Sequence, residues 1–287
     1  MMLLLLVPAA ILLALVFVAP MLHYVWLSAH ANSVLTGLVP IPNQGANWIR
    51  LVSDQRFWQD AGQTLRFTVV SVSLEVLLAL AIALLLDQRW RGRGAARALT
   101  LIPWALPTTV MALGWRWIFN TPYGPLNQTA SLLGVAPLNI LSNPAITWMA
   151  TVLADVWKTT PFAALILLAG LQTIPTDLYE ALRLEGASQR TCFLRITLPL
   201  LKPYIALALL FRLAQAFGVF DLVQVMTGGG PASSTESLAL YAYINAMRFL
   251  DFGYSATVMI GSFILLLLLC LISWSFLIRL QHRTGRV

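Results

Sequence analysis

Charge is what this sequence has least of: 10% of its 287 residues are Asp, Glu, Lys or Arg, while 59% are hydrophobic. A soluble domain needs about 25% charged residues to cover its surface, so composition alone excludes one, and a mean hydropathy of +0.79 agrees. Cysteine and histidine are nearly as scarce. Cys192 and Cys270 are too few for a disulfide framework. The three histidines, at 23, 30 and 282, have no metal-ligand or nucleophile spacing, which argues against a membrane-embedded enzyme. No Gly-x-x-x-x-Gly-Lys-Ser/Thr segment occurs, so any ATP chemistry belongs to another chain. A basic n-region is absent from Met1-Met2-Leu3-Leu4 too. Ala29-His30-Ala31 is a weak cleavage-site match behind an apolar run too long for a signal-peptide core, and that run is expected to remain as a first span.

What is present is apolar sequence in six runs, at about 3–27, 64–86, 99–119, 146–170, 204–226 and 254–278, each long enough to cross a bilayer as a helix. A net charge of +7 could suggest nucleic acid, but the charges cluster at the ends of these runs. Eleven basic residues fall on one side: Arg89, Arg91, Arg93, Arg97, Arg183, Arg190, Arg195, Lys202, Arg279, Arg283 and Arg286. Arg50, Arg56, Arg66 and Arg248 fall on the other. The richer side is expected to be cytoplasmic, with both termini there, in a bacterial inner membrane. On the outer side, Trp48, Phe57 and Trp58 suit a short interfacial helix within 28–63. Residues 120–145, uncharged and rich in proline, read as turns, as do the poor helix formers of 227–235. No internal repeat is visible.

One cytoplasmic segment carries distinct punctuation. Pro175 ends the fourth run, and Asp177 with Glu180 forms a capping-box-like start. The short helix that follows shows Leu178, Ala181 and Leu182 on its apolar side and stops at Gly186. Ser188 is placed to cap a second helix with apolar Cys192, Phe193 and Ile196, ended by Pro199 and Pro203. Two short amphipathic helices with an uncovered apolar face mark a protein interface.

The pattern Glu180-Ala181, Gly186, then Ile196-x-Leu198-Pro199 resembles the EAA loop of ABC importer permeases. Leu182 stands where that family usually has alanine, and Glu185 where aspartate is common. Ile102-Pro103-Trp104-Ala105-Leu106-Pro107, Trp115 through Asn127, Ile174-Pro175-x-Asp177-Leu178-Tyr179-Glu180 and Thr227-Gly228-Gly229-Gly230-Pro231 extend the resemblance to the carbohydrate-type branch. The resemblance implies an all-α polytopic membrane protein, with six transmembrane helices in a single permease domain and a coupling loop over 175–203. Glu180, Ala181, Gly186, Ala187, Ile196, Leu198 and Pro199 would then seat on an ATPase, Glu180 facing a basic residue there and Gly186 permitting the bend. Read simply from its position, Glu180 is a capping carboxylate. The implied partners are a second permease subunit in a heterodimer, two ATP-binding cassette subunits that bind ATP and Mg, an extracytoplasmic binding protein, and lipid. No nucleic acid and no cofactor in this chain are implied. The loop Thr227, Gly228, Gly229, Gly230 and Pro231 would face the binding protein.

Six ionisable residues fall inside the expected spans: Glu75, Arg116, Asp155, Lys158, Arg212 and Asp221. At a helix centre each costs about 2.5–3.5 kcal/mol, so each needs a partner or a wet cavity. Three of each sign fit internal pairing. Glu75 could pair with Arg212, and Arg116 is placed to snorkel outward. Asp155 and Lys158 share a helix face ahead of Pro161, which frees a carbonyl; a polar path and a plain structural ion pair both fit that spacing. By resemblance, the substrate would lie against Trp104, Thr108, Asp155, Lys158, Thr159, Phe162, Arg212, Ala216 and Val219. Aromatic rings with donors suit a di- or oligosaccharide or a polyol glycoside. The charged groups leave open an anion such as glycerol phosphate, for which Lys158 and Arg212 are apt. Ion-coupled secondary transport is the reading from a different class; six runs, no repeat and a long cytoplasmic lever weigh against it.

Overall fold

The computed structural model describes the backbone of residues 2–284 and the side chains of residues 7–275. Backbone polar groups in hydrocarbon must be satisfied within the segment, so the apolar runs become helices. In chain order the helices begin with α1 (Met2–Leu13), a π turn (Ala14–Val18), α2 (Ala19–Ser28), α3 (Ala46–Ser53) and α4 (Gln55–Asp87). Then come α5 (Arg93–Ala105), α6 (Thr108–Ile118), α7 (Pro125–Leu132), α8 (Pro144–Gln172), α9 (Thr176–Leu184) and α10 (Gln189–Cys192). A second π turn (Phe193–Thr197) leads into α11 (Leu198–Phe217), followed by α12 (Asp221–Met226), α13 (Leu238–Met247) and α14 (Phe252–Thr284).

Five stretches among the described residues are long and apolar enough to cross a membrane: Val7–Ser28, Gln55–Asp87, Pro144–Gln172, Gln189–Phe217 and Phe252–Ser275. A sixth is a bent pair. Helices α5 and α6 qualify together but meet at 89°, so the expected run 99–119 is corrected to two half-helices. The cause is local: a residue before proline is pushed out of the helical region, and Leu106, ahead of Pro107, sits at ψ 136.

Two more expectations are corrected. The run 204–226 stops at Gly218 and resumes as the separate α12. Pro199 and Pro203 do not end the second loop helix, because Gln189–Phe217 is one continuous stretch. Just ahead of Pro199 the π turn closes with Leu198 N–H donating to the Phe193 carbonyl, five residues back. That wider turn resets the register just ahead of Pro199, which falls in the first turn of α11. The second span also starts earlier than expected, at Gln55 rather than 64. Arg279, Arg283 and Arg286 of the charge tally lie outside the described side chains.

Packing divides the chain into two units, residues 1–64 with 236–268, and residues 65–235 with 269–287. In the first, a two-residue hairpin pairs His30 with Pro42 and Ala31 with Ile41. Asn47 ties α3 to it by donating to the carbonyls of Ser28 (3.3 Å) and His30 (3.0 Å). Asp54 accepts from the phenols of Tyr241 (2.5 Å) and Tyr254, and Arg56 forks onto Glu236 at 2.7 and 3.0 Å. Phe57, expected at the interface, is 2% exposed in this unit's core, while Trp58 is exposed.

The second unit is held by α8. Small residues on its face (Ala163, Ala164) meet Ala79 and Ala83 of α4 and Ala208 of α11, all buried, which lets backbones approach closely. Gly170 marks a tight crossing: a Cβ there would stand 2.4 Å from Tyr204 Cγ.

Candidate functional site: an intramembrane cavity and a cytoplasmic loop

The breaks in the helices place the cavity. Where α5 gives way to α6, and where α11 gives way to α12, backbone and side chains open onto a cavity of about 410 Å³, with α8 as the third wall. That volume is within the usual range for small-ligand sites. Of the residues expected along the substrate path, Trp104, Thr108, Asp155, Lys158, Thr159, Arg212 and Val219 line it. Phe162 does not line it but stacks under Trp104, ring centroids 5.3 Å apart and planes 15° from parallel. Ala216 is 2% exposed and packs with Val72 and Leu213 instead.

Three of the four charged residues of the cavity wall, Asp155, Lys158 and Arg212, are already engaged. The Arg212 guanidinium donates to both oxygens of Glu75 (Nη2 to Oε1 at 3.0 Å, Nε to Oε2), to Asp155 Oδ2 at 3.4 Å and to Gln215 Oε1 at 2.6 Å. Ser71 Oγ bridges the two carboxyls, 2.7 Å from Glu75 and 2.6 Å from Asp155. Glu75 is 0% exposed, Arg212 2% and Asp155 7%, so this buried cluster joins α4, α8 and α11, with Asp155 and Arg212 reaching the cavity. The pairing of Glu75 with Arg212 matches expectation. Asp155 and Lys158 do not pair: Asp155 turns to Arg212, and Lys158 Nζ donates to the Leu106 carbonyl at the helix break. That carbonyl loses its helical partner because the chain turns extended there, and the ammonium supplies one. Arg116 reaches the Val225 carbonyl at 3.3 Å from an exposed position.

The cytoplasmic loop is built differently from its expected caps. Pro175 is the N-cap of α9 and no side-chain cap bond forms, so the Asp177–Glu180 capping box is corrected; Asp177 simply lies in the first turn, where a negative charge suits the helix dipole. The bend is as expected. Gly186 sits at φ +82, with its N–H on the Arg183 carbonyl (2.9 Å) and Ala187 N–H on Leu182 (3.2 Å), and Ser188 caps α10 through Thr191 N–H. The apolar face is partly covered by the chain itself. Cys192 is 4% exposed, Ile196 and Tyr179 pack on the α8–α11 core, and the Tyr179 hydroxyl meets Thr197 at 2.9 Å. Glu180, Ala181 and Gly186 are exposed, while Ala187, Leu198 and Pro199 are half-buried. Leu184 is 90% exposed, and Leu178 and Leu194 remain open beside it.

Residues 75–284 match the model of the family described as "Binding-protein-dependent transport system inner membrane component". The chain belongs to this family. The permease is 45% identical over 251 residues to the trehalose/maltose transport system permease protein MalF of Thermococcus litoralis, covering 87% of this chain and 84% of that one. It is 39% identical to the sulfoquinovosyl glycerol transport system permease protein SmoG of Agrobacterium fabrum, covering 91% and 85%. It is 34% identical to the trehalose transport system permease protein SugA of Mycobacterium tuberculosis, covering 88% and 80%. In fold it resembles a chain of a bacterial ABC transporter involved in the import of the acidic polysaccharide alginate, with TM-score 0.80 at 20% identity over 96% of this chain and 94% of that one. That transporter is also solved with a pentasaccharide-bound periplasmic protein. The permease is thus a membrane transport component, not an enzyme.

Several cavity residues escaped the sequence reading. Gln215 lines the wall from the last turn of α11, Gly218, Phe220 and Leu222 come into it because α11 ends at Phe217, and Asp221, expected inside a span, lines the cavity from the start of α12. The glycine at 218 was the available signal for that break. In the Thr227–Pro231 loop, Gly228 and Gly229 take φ of +64 and +88, which only glycine adopts freely. Thr227 Oγ1 accepts from Gly229 N–H at 3.2 Å and lies 2.8 Å from Thr235 Oγ1, so the loop is internally braced.

Proposed function

We propose that the permease is one of a pair of membrane subunits in an ATP-driven importer, and that its substrate is a neutral di- or oligosaccharide or a related polyol glycoside. The observation that carries this is the engaged state of the cavity's cations: Arg212 is forked onto Glu75 and Lys158 is held by the Leu106 carbonyl. A glycerol phosphate would need the Arg212 fork free, since Lys158, with one of its three donors on that carbonyl, offers a point charge and not a bidentate grip. What remains open is an aromatic shelf, Trp104 backed by Phe162, beside the hydroxyl of Thr108 and the amide nitrogen of Gln215, whose oxygen is taken by Arg212. Flat rings with hydrogen-bonding groups at their edge suit a sugar. Relatives named for trehalose and maltose support the same reading.

In this reading Glu180, Ala181, Gly186, Ala187, Ile196, Leu198 and Pro199 seat the loop on one of two ATP-binding cassette subunits, and the exposed Leu184 lies within that contact. Loop 227–231 faces an extracytoplasmic binding protein, and both termini are cytoplasmic. The test is substrate-stimulated ATPase activity of the assembled complex across trehalose, maltose, other glycosides and glycerol phosphates. Stimulation by a neutral sugar and by no phosphate is expected. Lys158→Ala should then raise the half-saturating sugar concentration by about tenfold, since it unseats the helix break, while Arg116→Ala leaves it unchanged. Stimulation by glycerol phosphates alone would refute the substrate class.

A further inference from the structure

Glu75 lies behind the cavity wall rather than in it. It is 0% exposed and does not line the cavity, yet both its oxygens are occupied by Arg212, which does. An arginine presents five N–H donors in a rigid fork suited to a carboxylate or phosphate. Here two point at Glu75 and others at Asp155 and Gln215, so little of that capacity faces a ligand. The formal charges explain why this matters. The four charges that line the cavity balance, Lys158 and Arg212 against Asp155 and Asp221, so Glu75 is a further negative charge spent on Arg212 from behind the wall; without it, the residue best shaped to bind an anion loses its main partner.

We propose that Glu75 is a positioning residue that sets the charge preference of the transport cavity: by holding the Arg212 fork against α4, it makes the site accept neutral sugars and refuse their phosphorylated or uronic counterparts. This rests on the reading of the cavity as a sugar site. Its physical basis is that a buried arginine with its carboxylate removed seeks another anion, because leaving the charge unpaired is strongly unfavourable. A ligand phosphate would become that partner. Ser71 Oγ lies within hydrogen-bond distance of both carboxyls and has one hydrogen to give, which adds to the hold when it goes to Glu75.

The test is equilibrium binding of radiolabelled trehalose and of trehalose 6-phosphate to the purified permease complex without its binding protein, in wild type and Glu75→Gln. Glutamine keeps the shape and one acceptor for Arg212 but not the charge. Wild type should prefer trehalose, and in Glu75→Gln that preference should fall by about tenfold or more, the order expected of one uncompensated charge across a partly wet cavity. Equal weakening of both ligands would mean that Glu75 only supports the fold, and would overturn the proposal. Should the glutamine variant fail to accumulate in the membrane, Glu75→Asp takes its place. It is one methylene short of holding both Nε and Nη2, and the preference should fall by about threefold; an unchanged preference overturns the assignment. Wild-type complex that binds neither ligand nor any neutral disaccharide refutes the sugar site itself, and the role of Glu75 with it.

Discussion

Gly186 offers the sharpest test of why the cytoplasmic loop has its shape. The residue sits at φ +82, and nothing lies within 4 Å of where a Cβ would stand. Alanine there meets no atom of this chain, so the penalty is the backbone's alone, about 1–2 kcal/mol for a side-chain-bearing residue in the left-handed region. Since 1.4 kcal/mol is about a tenfold change in population, the bent loop should become roughly ten times scarcer relative to unbent forms in Gly186→Ala. Asparagine enters the left-handed region more readily than alanine, and valine less readily than either. Sugar-stimulated ATPase activity and uptake in the assembled complex should therefore rank glycine, asparagine, alanine, valine, with membrane insertion unaffected. A ranking by size instead, with alanine above asparagine, would refute the backbone argument. It would mean that glycine is needed because a partner subunit closes on that spot.

Gly170→Ala should lower the thermal midpoint of the detergent-solubilised permease. Its Cβ would fall 2.4 Å from Tyr204 Cγ and 2.9 Å from Leu201 Cδ1, an overpacking cost of about 1–3 kcal/mol; trimming the ring with Tyr204→Leu should recover part of the loss. Asp54 predicts an acid limb in stability. Burial opposes its ionisation, but hydrogen bonds from Tyr241, Tyr254 and the amides of Phe57 and Arg56 outweigh that and hold the carboxyl below the usual aspartate range. The ionised form is then favoured by folding, so the contribution is present above pH about 4 and is lost as pH falls through the lowered value. Thermal midpoints measured from pH 6 down to 3 should fall less steeply in Asp54→Asn than in wild type; parallel curves would refute the assignment.

The sequence alone was enough to establish the membrane class and the bend of the cytoplasmic loop. Each of these follows from local chemistry: apolar length, a glycine that must turn left-handed, and a serine placed to cap. Proline was read less well, because its effect depends on what surrounds it. Pro107 breaks a span through the residue before it, whereas Pro199 falls in the turn that follows a π turn and Pro203 sits inside α11 without ending it. The expected capping box failed for a similar reason, since Pro175 already fixes the start of α9. Seven of the nine expected path residues line one cavity, because aligned motifs carry helix faces with them. Only the tertiary structure decided how the charges within the membrane are partnered. Asp155 and Lys158 are neighbours on one helix, but each is drawn across to a different one. A buried guanidinium on α11 claims the carboxylate, and a carbonyl freed at the α5 break claims the ammonium. Sequence spacing shows which groups can meet along a helix. Which of them do meet is set by the strongest unmet charge or hydrogen bond that packing brings within reach.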